Sequence, residues 1–356
     1  MSLIAAVRTD ASSDVLTSLR AVCDEQGLGD LSAHLADLAD LVKWDMAALE
    51  DAIHTLPTGD SLVHKSAHHL LETAGKRLRP MCVVLASRVG HGLDDKTRDF
   101  GVAVELVHCA TLLHDDVVDM GDRRRGEPAA RTLYGNAASI FAGDWLLVDA
   151  LRRVRAAEMP DVLVRLLDII DEMIFAESIQ LENRGRLDAR LETYMRVVEG
   201  KTAALFRWAM FAGARAGGLD DPACEALEQY GVNLGVAFQL IDDYLDYAGD
   251  DVTLGKLPFA DLREGKMTHP VIVALEREPT LRPVVQELVS GSADSVTDAI
   301  RAQLLEGLHD TGALQATREL AISRADAATE ALSSLVPSRA RDALATVARA
   351  TVHRES

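Results

Sequence analysis

Apolar positions recur every three or four residues along most of this chain, which is the spacing of one face of an α-helix. Glycine and proline interrupt the pattern at intervals, and the alternation typical of β-strands never continues beyond a few residues. The pattern therefore predicts an all-α protein. Its expected helices cover residues 13–27, 31–56, 61–73, 80–90, 97–119, 137–157, 162–183, 190–213 and 222–247, with further helices from Pro270 onward.

The sequence contains no low-complexity linker that would divide it. We expect one all-α domain over residues 31–356, built as a helical bundle around a central apolar cavity. Residues 1–30 are expected to form an N-terminal extension with a short helix of its own.

Two aspartate clusters of the same spacing interrupt this apolar pattern. The first reads His-Asp-Asp-Val-Val-Asp and the second reads Ile-Asp-Asp-Tyr-Leu-Asp. On a helix, residues four apart share a face, so Asp115 lies beside Asp119, and Asp242 lies beside Asp246. Carboxylates on an apolar face repel one another and resist desolvation unless a cation neutralises them. Because Mg²⁺ binds through one or two carboxylates plus substrate phosphates, the pattern predicts a magnesium–diphosphate site between two facing helices.

The charge of the chain narrows the class of ligand. A net charge of −19 argues against nucleic acid as a partner, since a phosphate backbone attracts basic surfaces. A small phosphate ligand would therefore need local cations. Basic residues suited to this role occur in three groups. The first lies within residues 75–80, the second within residues 123–126, and the third comprises Lys201, Lys256 and Lys266.

The cysteines and the apolar runs bear on location. The four cysteines show no metal-binding or redox spacing, and Cys82 and Cys109 lie in apolar runs where buried, unpaired thiols are expected. This usage fits a reducing compartment, so we expect a cytoplasmic protein. No apolar run reaches the length of a transmembrane helix, and peripheral membrane contact stays open.

These motifs, in this order, resemble those of the trans-polyprenyl diphosphate synthases, also called the polyprenyl synthetase family. The resemblance covers residues 56–275, most of the chain. Two aspartate motifs with matching flanking elements are far more specific than one. The elements that carry the resemblance are residues 75–80, 112–119, 124–128, 142–147, 200–203, 238–246, 255–256 and 261–266.

The resemblance implies an isoprenoid synthase fold, a homodimer and small diphosphate substrates. The implied reaction is the head-to-tail condensation of isopentenyl diphosphate with geranyl, farnesyl or geranylgeranyl diphosphate. It also implies three Mg²⁺ ions for each active site, with Mn²⁺ as a possible substitute.

Roles for individual residues follow from the same resemblance. Those matching the isopentenyl diphosphate site are Lys76, Arg79, His108 and Arg125. Those matching the allylic diphosphate site are Arg124, Lys201, Thr202, Gln239, Lys256 and Lys266. The implied magnesium ligands are Asp115, Asp119 and Asp242, with Asp116, Asp243 and Asp246 in support. Catalysis would then depend on Asp115, Asp119, Asp242 and Lys201.

Product length depends, in this family, on what blocks the cavity beneath the first motif. The residues four and five positions before Asp115 are Thr111 and Ala110, and both are small. One helical turn rises about 5.4 Å, comparable to one isoprene unit, so the open wall predicts a product of roughly C30–C50. A short-chain C20 synthase stays open as the alternative.

Two other functions share parts of this pattern. A class I terpene cyclase shares the fold and the first motif, but it lacks the basic cluster around Lys76. A non-catalytic synthase subunit usually loses one aspartate motif, whereas both are present here. We also expect a structural role for His114, hydrogen-bonding to the backbone. His269 departs from the family, which often has leucine at that position.

Overall fold

A computed structural model of the chain describes residues 11–72, 75, 77–124, 126–187, 190–248, 259–290 and 298–354. Of the residues in these ranges 82% are helical, so the all-α prediction is confirmed. The helices are α1 (Ala11–Glu25), α2 (Gly29–His54), α3 (Leu62–Glu72), α4 (Leu78–Val89), α5 (Asp95–Val118), α6 (Ala130–Tyr134), α7 (Asn136–Ala156), α8 (Pro160–Glu182), α9 (Leu191–Val198), α10 (Ala204–Ala216), α11 (Asp221–Ala248), α12 (Ala260–Arg263), α13 (His269–Arg277), α14 (Arg282–Ser290), α15 (Asp298–Asp310), α16 (Ala313–Ala331) and α17 (Arg339–Thr351).

Three local elements depart from the predicted pattern. The predicted helix over residues 190–213 is divided by one π-helical turn, Glu199–Ala203, between α9 and α10. A two-residue strand, β1 (Arg123–Arg124), pairs antiparallel with β2 (Glu127–Pro128) in the loop after the first motif. The short helix α6 follows that ribbon. Its five residues are too few for a periodic apolar pattern, which is why the sequence did not reveal it.

Contacts along the chain divide it into two compact units. The first unit comprises Met1–Met159, Ala212–Asp220 and Val336–Val347, and it contains the first aspartate motif. Helices α5 and α7 pack closely there: a Cβ on Gly143 would lie only 3.0 Å from the Ala110 carbonyl oxygen. Ser139 Oγ also donates to the Leu113 carbonyl oxygen at 2.9 Å. These contacts hold the last turns of α5 against α7.

The second unit comprises Pro160–Phe211, Asp221–Leu335 and Ala348–Ser356, and it contains the second aspartate motif. Its core packs α11 along α16, where the buried small residues Ala321 and Ala325 allow close approach. Buried apolar residues of α9 and α13 complete the cluster. The expectations of a single domain and of two facing aspartate helices stay predictions.

Two sequence-based expectations can be compared directly with the structure. All four cysteines are buried and none forms a disulfide bond, which confirms the burial predicted for Cys82 and Cys109. No helix within the described ranges is both long enough and apolar enough to span a bilayer.

Candidate active site

The first aspartate motif occupies the end of α5. This helix begins after Asp94, whose side chain accepts a 2.7 Å hydrogen bond from the Thr97 backbone N–H, and it ends with Asp119 as the C-cap. Asp115 and Asp119 are half-buried. The C-terminal end of a helix carries partial negative charge, and the last turn of α5 contains no basic residue. Acidic side chains at this end therefore favour a bound cation.

Asp116 is the most deeply buried aspartate of the motif, and an arginine pairs with it. It is only 2% exposed, and its Oδ1 accepts hydrogen bonds from Arg124 Nε at 2.8 Å and Arg124 Nη2 at 2.7 Å. The β1–β2 ribbon, which turns at Gly126 with a positive φ, carries Arg124 to this position. Thus one residue predicted to bind allylic diphosphate contacts a residue predicted to support the metal.

An arginine that the sequence argument missed holds the loop between the motif and the ribbon. Arg131 Nε donates to the Gly121 carbonyl oxygen at 2.8 Å, and Arg131 Nη2 donates to the Met120 carbonyl oxygen at 2.8 Å. Both acceptors lie just beyond the end of α5, where carbonyl groups have no helical partner. Arg131 therefore fixes the chain that leaves Asp119.

One arginine of the first basic cluster, residues 75–80, is buried in the protein interior. Arg77 is buried, with Nη1 2.5 Å from Glu105 and Nε 3.1 Å from Glu50. Burial by itself lowers the pKa of Arg77, but Glu105 and Glu50 together raise it above its usual value. Arg79 and His108 are half-buried in the same unit, while Lys76 and Arg125 lie outside the described residues.

Ala110 and Thr111, predicted to set product length, differ in exposure. Ala110 is only 2% exposed, and its carbonyl group lies close to α7 at Gly143. Thr111 is half-buried, and its hydroxyl donates to the His108 carbonyl oxygen at 2.8 Å. Thr111 is therefore the more accessible of the two. His114 Nε2 lies 3.1 Å from the Ile140 carbonyl oxygen, so its predicted contact with the backbone is confirmed.

The second aspartate motif lies in the last turns of α11 and is built around a buried Asp243. Its Oδ2 accepts from the Tyr194 hydroxyl at 2.6 Å and from the His269 backbone N–H at 3.3 Å. Its Oδ1 accepts from Gln239 Nε2 at 2.9 Å. Burial, followed by the negative charge of Asp261, raises the pKa of Asp243 to about 7. With donors on both oxygens, Asp243 anchors the motif to the helices around it.

The π-helical turn places two more of the predicted residues beside this network. Thr202 Oγ1 donates to Gln239 Oε1 at 2.8 Å, so hydrogen bonds run continuously from Thr202 through Gln239 to Asp243. Lys201 Nζ lies 2.5 Å from Glu177 Oε2 on α8. A Cβ at Gly200 would lie 2.7 Å from the Ala176 side chain, so a glycine is needed for this turn to approach α8. Single π turns often occur at functional sites.

A cavity of about 160 Å³ opens beside these side chains within the second unit. Four residues predicted to bind allylic diphosphate line it, together with Asp243: Lys201, Thr202, Gln239 and Lys266. Lys266 Nζ lies 2.6 Å from Glu264 Oε2. Of the remaining two, Arg124 belongs to the first unit and Lys256 lies outside the described residues. The roles of these residues stay predictions, but four of them converge.

Asp246 and Asp242 flank Asp243 with different contacts. Asp246 Oδ1 accepts a 3.2 Å hydrogen bond from the Ala260 backbone N–H at the start of α12. Asp242 Oδ1 lies 2.7 Å from Nη2 of Arg354, and the Asp242 side chain keeps 44% of its surface exposed. Sequence reasoning missed Arg354, Tyr194, Glu177 and Asp261, because each meets its partner through tertiary contacts that no local spacing encodes.

The acidic residues fit a hard divalent cation. Within the described ranges, no three His, Cys, Asp or Glu side chains converge in a way that would enclose a metal by themselves. Mg²⁺ does not need such a cage, because it keeps waters and takes one or two carboxylates plus substrate phosphates. Accessible carboxylates at helix C-terminal ends supply that type of ligand: Asp115 and Asp119 on α5, and Asp242 on α11.

Comparison with known proteins gives a consistent assignment. The polyprenyl synthetase family model matches residues 60–305. The octaprenyl diphosphate synthase of Escherichia coli (strain K12) is 34% identical over 328 residues, which are 90% of this chain and 99% of that protein. A short chain isoprenyl diphosphate synthase of Methanothermobacter thermautotrophicus is 35% identical over 297 residues, covering 82% of this chain and 90% of the relative.

A solved structure agrees in fold as well. The polyprenyl synthase from Caulobacter crescentus CB15, crystallised with calcium and isoprenyl diphosphate, superposes with a TM-score of 0.84 at 36% sequence identity. The match covers 90% of this chain and 98% of that one. The chain therefore belongs to the polyprenyl synthetase family and is a prenyltransferase with the all-α isoprenoid synthase fold.

Proposed function

We propose that this protein condenses isopentenyl diphosphate head-to-tail with an allylic diphosphate, which is geranyl, farnesyl or geranylgeranyl diphosphate. The observation that carries the proposal is the cavity of the second unit, where Lys201, Thr202, Gln239 and Lys266 converge beside Asp243. Two lysines and two polar groups suit the binding of a polyanionic diphosphate. Arg79 and His108, with Lys76 and Arg125, are assigned to isopentenyl diphosphate, and Arg124 and Lys256 to the allylic diphosphate.

The reaction begins when the allylic C–O bond breaks and the diphosphate leaves with the bonding electron pair. Lys201 and Lys266 stabilise the negative charge that develops on the departing oxygens. The alkene of isopentenyl diphosphate then donates its electrons to the allylic carbocation, and a new C–C bond forms. The departed diphosphate takes the proton that is lost, so the protein supplies no covalent nucleophile.

Divalent metal dependence is a property of this family. We assign Asp115, Asp119 and Asp242 as ligands of Mg²⁺, with Asp116, Asp243 and Asp246 in support, and with three ions for each active site. When bound, Mg²⁺ neutralises the diphosphate and makes it a better leaving group. Asp116 and Asp243 act mainly by positioning, because Arg124 holds the first and Tyr194 and Gln239 hold the second.

The product is assigned to the medium and long class, roughly C30–C50, by the small side chains upstream of Asp115. The octaprenyl synthase of Escherichia coli agrees with that class, while a short-chain synthase is equally similar in sequence. Overall sequence identity does not separate short-chain from long-chain synthases, because only a few side chains along the cavity control the length of the prenyl product. Thr111 is the accessible one of the pair on α5.

The protein is proposed to act as a homodimer. Helix α8 exposes a line of apolar residues on the side away from its buried face: Val164, Leu167, Ile174, Phe175 and Leu181. Leu167, Ile174 and Leu181 are seven residues apart, so they lie along one side of the helix. An apolar row of this kind marks a protein-interaction surface, and a second copy of the chain is the proposed occupant.

Incubation with radiolabelled isopentenyl diphosphate, Mg²⁺ and either geranyl or farnesyl diphosphate tests the proposal. Chromatography of the products should show label in a polyprenyl diphosphate longer than the primer. Absence of incorporation from every allylic primer would contradict the synthase assignment. Cyclised hydrocarbon released from the primer alone would instead support the terpene cyclase alternative.

A further inference from the structure

Arg354 follows α17 and reaches the second aspartate motif. The chain at this point is held in place by Val352, which is 8% exposed and packs in the cluster that contains Leu240 and Ile241 of α11. Arg354 itself is 8% exposed, although arginine is rarely buried unless it is paired. Its position is therefore set by the core of the second unit.

Three contacts hold the Arg354 guanidinium on α11. Nη2 lies 2.7 Å from Asp242 Oδ1 and donates to the Phe238 carbonyl oxygen at 2.6 Å. The guanidinium carbon lies 3.8 Å from the centre of the Phe238 ring, which is a close cation–π contact. Phe238 and Asp242 are one helical turn apart, so the planar guanidinium spans both.

The ion pair joins a buried cation to an accessible carboxylate. The Arg354 side chain is 6% exposed and the Asp242 side chain is 44% exposed. Asp242 is also the proposed magnesium ligand of this motif. A divalent cation and the guanidinium would thus act on the same carboxylate group, and each repels the other when both are near it.

We propose that Arg354 competes with the divalent cation for Asp242 and that a bound diphosphate relieves the competition. A diphosphate offers guanidinium more negative charge and more acceptor oxygens than one carboxylate does, so Arg354 would move onto the diphosphate and leave Asp242 to the metal. Metal binding at the second motif then depends on diphosphate. The inference rests on the proposed function, because it assumes that Asp242 binds metal and that diphosphate is the ligand.

The test is Mn²⁺ binding measured by electron paramagnetic resonance on the full chain, with and without inorganic diphosphate. The double substitution Asp115→Asn and Asp119→Asn is used as the background, so that the second motif dominates the signal. Without diphosphate, adding Arg354→Gln to this background should tighten Mn²⁺ binding at least about tenfold relative to the background protein that keeps Arg354. That change corresponds to about 1.4 kcal/mol. Inorganic diphosphate should strengthen Mn²⁺ binding strongly when Arg354 is present and only weakly in Arg354→Gln.

The matched control is Arg349→Gln, which removes the same charge from an exposed position on α17. The proposal would be overturned if Arg354→Gln bound Mn²⁺ no more tightly than Arg349→Gln does. That result is expected if Arg354 has only a structural role. If Arg354→Gln does not fold, as judged by thermal unfolding, Phe238→Leu loosens the guanidinium without changing any charge. It should likewise raise Mn²⁺ affinity, and an unchanged affinity would count against the proposal.

Failure of the competition and failure of the proposed function give different results. If the wild-type chain incorporates isopentenyl diphosphate but Arg354→Gln leaves Mn²⁺ affinity unchanged, the competition alone is wrong. If Asp242→Asn leaves Mn²⁺ binding unaltered and the wild-type chain extends no primer, the assigned metal site and the synthase reaction are both wrong. The competition, which rests on them, is then wrong as well.

Discussion

Arg77 shows that neighbouring basic residues can have different functions. It lies in a cluster assigned to diphosphate binding, yet its guanidinium is buried against Glu105 and Glu50. Arg77 has a positive φ of 45°, a conformation that is uncommon for a non-glycine residue and that starts α4. Removing one partner of such a buried ion pair leaves an uncompensated charge. Arg77 therefore stabilises the start of α4, the helix that carries Arg79.

Thr111 is the residue through which product length can be tested. Replacing it with phenylalanine places a large ring on an accessible position of α5, so the growing chain should stop earlier. We expect Thr111→Phe to shift the main product by at least one isoprene unit toward shorter lengths, as measured by chromatography of the dephosphorylated products. Thr111→Ser is the matched control and should leave the product distribution unchanged.

The same substitution at Ala110 is a poorer test. Ala110 is only 2% exposed and lies against α7, so a phenylalanine there would overpack the core. A Thr111→Phe protein that folds, is active and makes products of unchanged length would show that other residues limit product length.

His269 should make stability depend on pH. Burial, and then the positive charge of Arg277, lowers the pKa of His269 from 6.5 to about 4. As pH falls below 6.5, the unfolded chain takes up the proton while the folded protein does not. The free energy of unfolding should therefore decrease between pH 6.5 and pH 4, by roughly 3 kcal/mol for this residue.

Denaturant unfolding of the wild type and His269→Gln at about pH 7 and about pH 4.5 checks this expectation. The free energy of unfolding of the wild type, relative to that of His269→Gln, should be lower at about pH 4.5 than at about pH 7. Asp243, whose raised pKa gives the opposite slope, contributes to both proteins and cancels in the difference. His309→Gln, at an exposed position of α15, is the control. A His269→Gln difference that stays constant with pH would contradict the assignment.

At the scale of elements, α8 presents two faces with different functions. Its buried face packs Val162, Leu166 and Ile169 into the second unit, while its opposite side exposes Ile174 and Phe175. Glu177, also on α8, holds Lys201. The helix thus links a site residue to a candidate interface.

We expect Phe175→Glu to weaken the proposed dimer, because a charge would be buried without a partner in an apolar contact. Size-exclusion chromatography with light scattering should show a shift from dimer to monomer at micromolar protein concentration. Leu305→Glu, an exposed apolar position on α15, is the matched control and should leave the mass unchanged. A wild-type chain that is already monomeric would refute the homodimer.

At the scale of the whole molecule, each compact unit contains one aspartate motif. If both motifs hold metal in the same reaction, neither unit is sufficient. We expect Asp115→Asn and Asp242→Asn each to lower kcat by at least about 100-fold and their combination to abolish turnover, since metal ligands matter more than their supporting contacts.

Steady-state incorporation of isopentenyl diphosphate gives the rates, and circular dichroism shows that the variants are folded. Asp51→Asn, an exposed carboxylate on α2, should behave as the wild type. Substantial turnover in the double variant would show that the aspartates are not the metal ligands.

The sequence alone determined the helical class, most helix boundaries and the identity of both aspartate motifs, because apolar periodicity and four-residue spacing are local properties. It also indicated the family, since the order of the motifs is written in the chain. Only the tertiary structure decided which charged residues are paired inside the protein: Arg77 with Glu105, Arg124 with Asp116, and Arg354 with Asp242. These partners are 8 to 112 residues apart. No local pattern encodes such pairs, because burial and distance arise only when the helices pack.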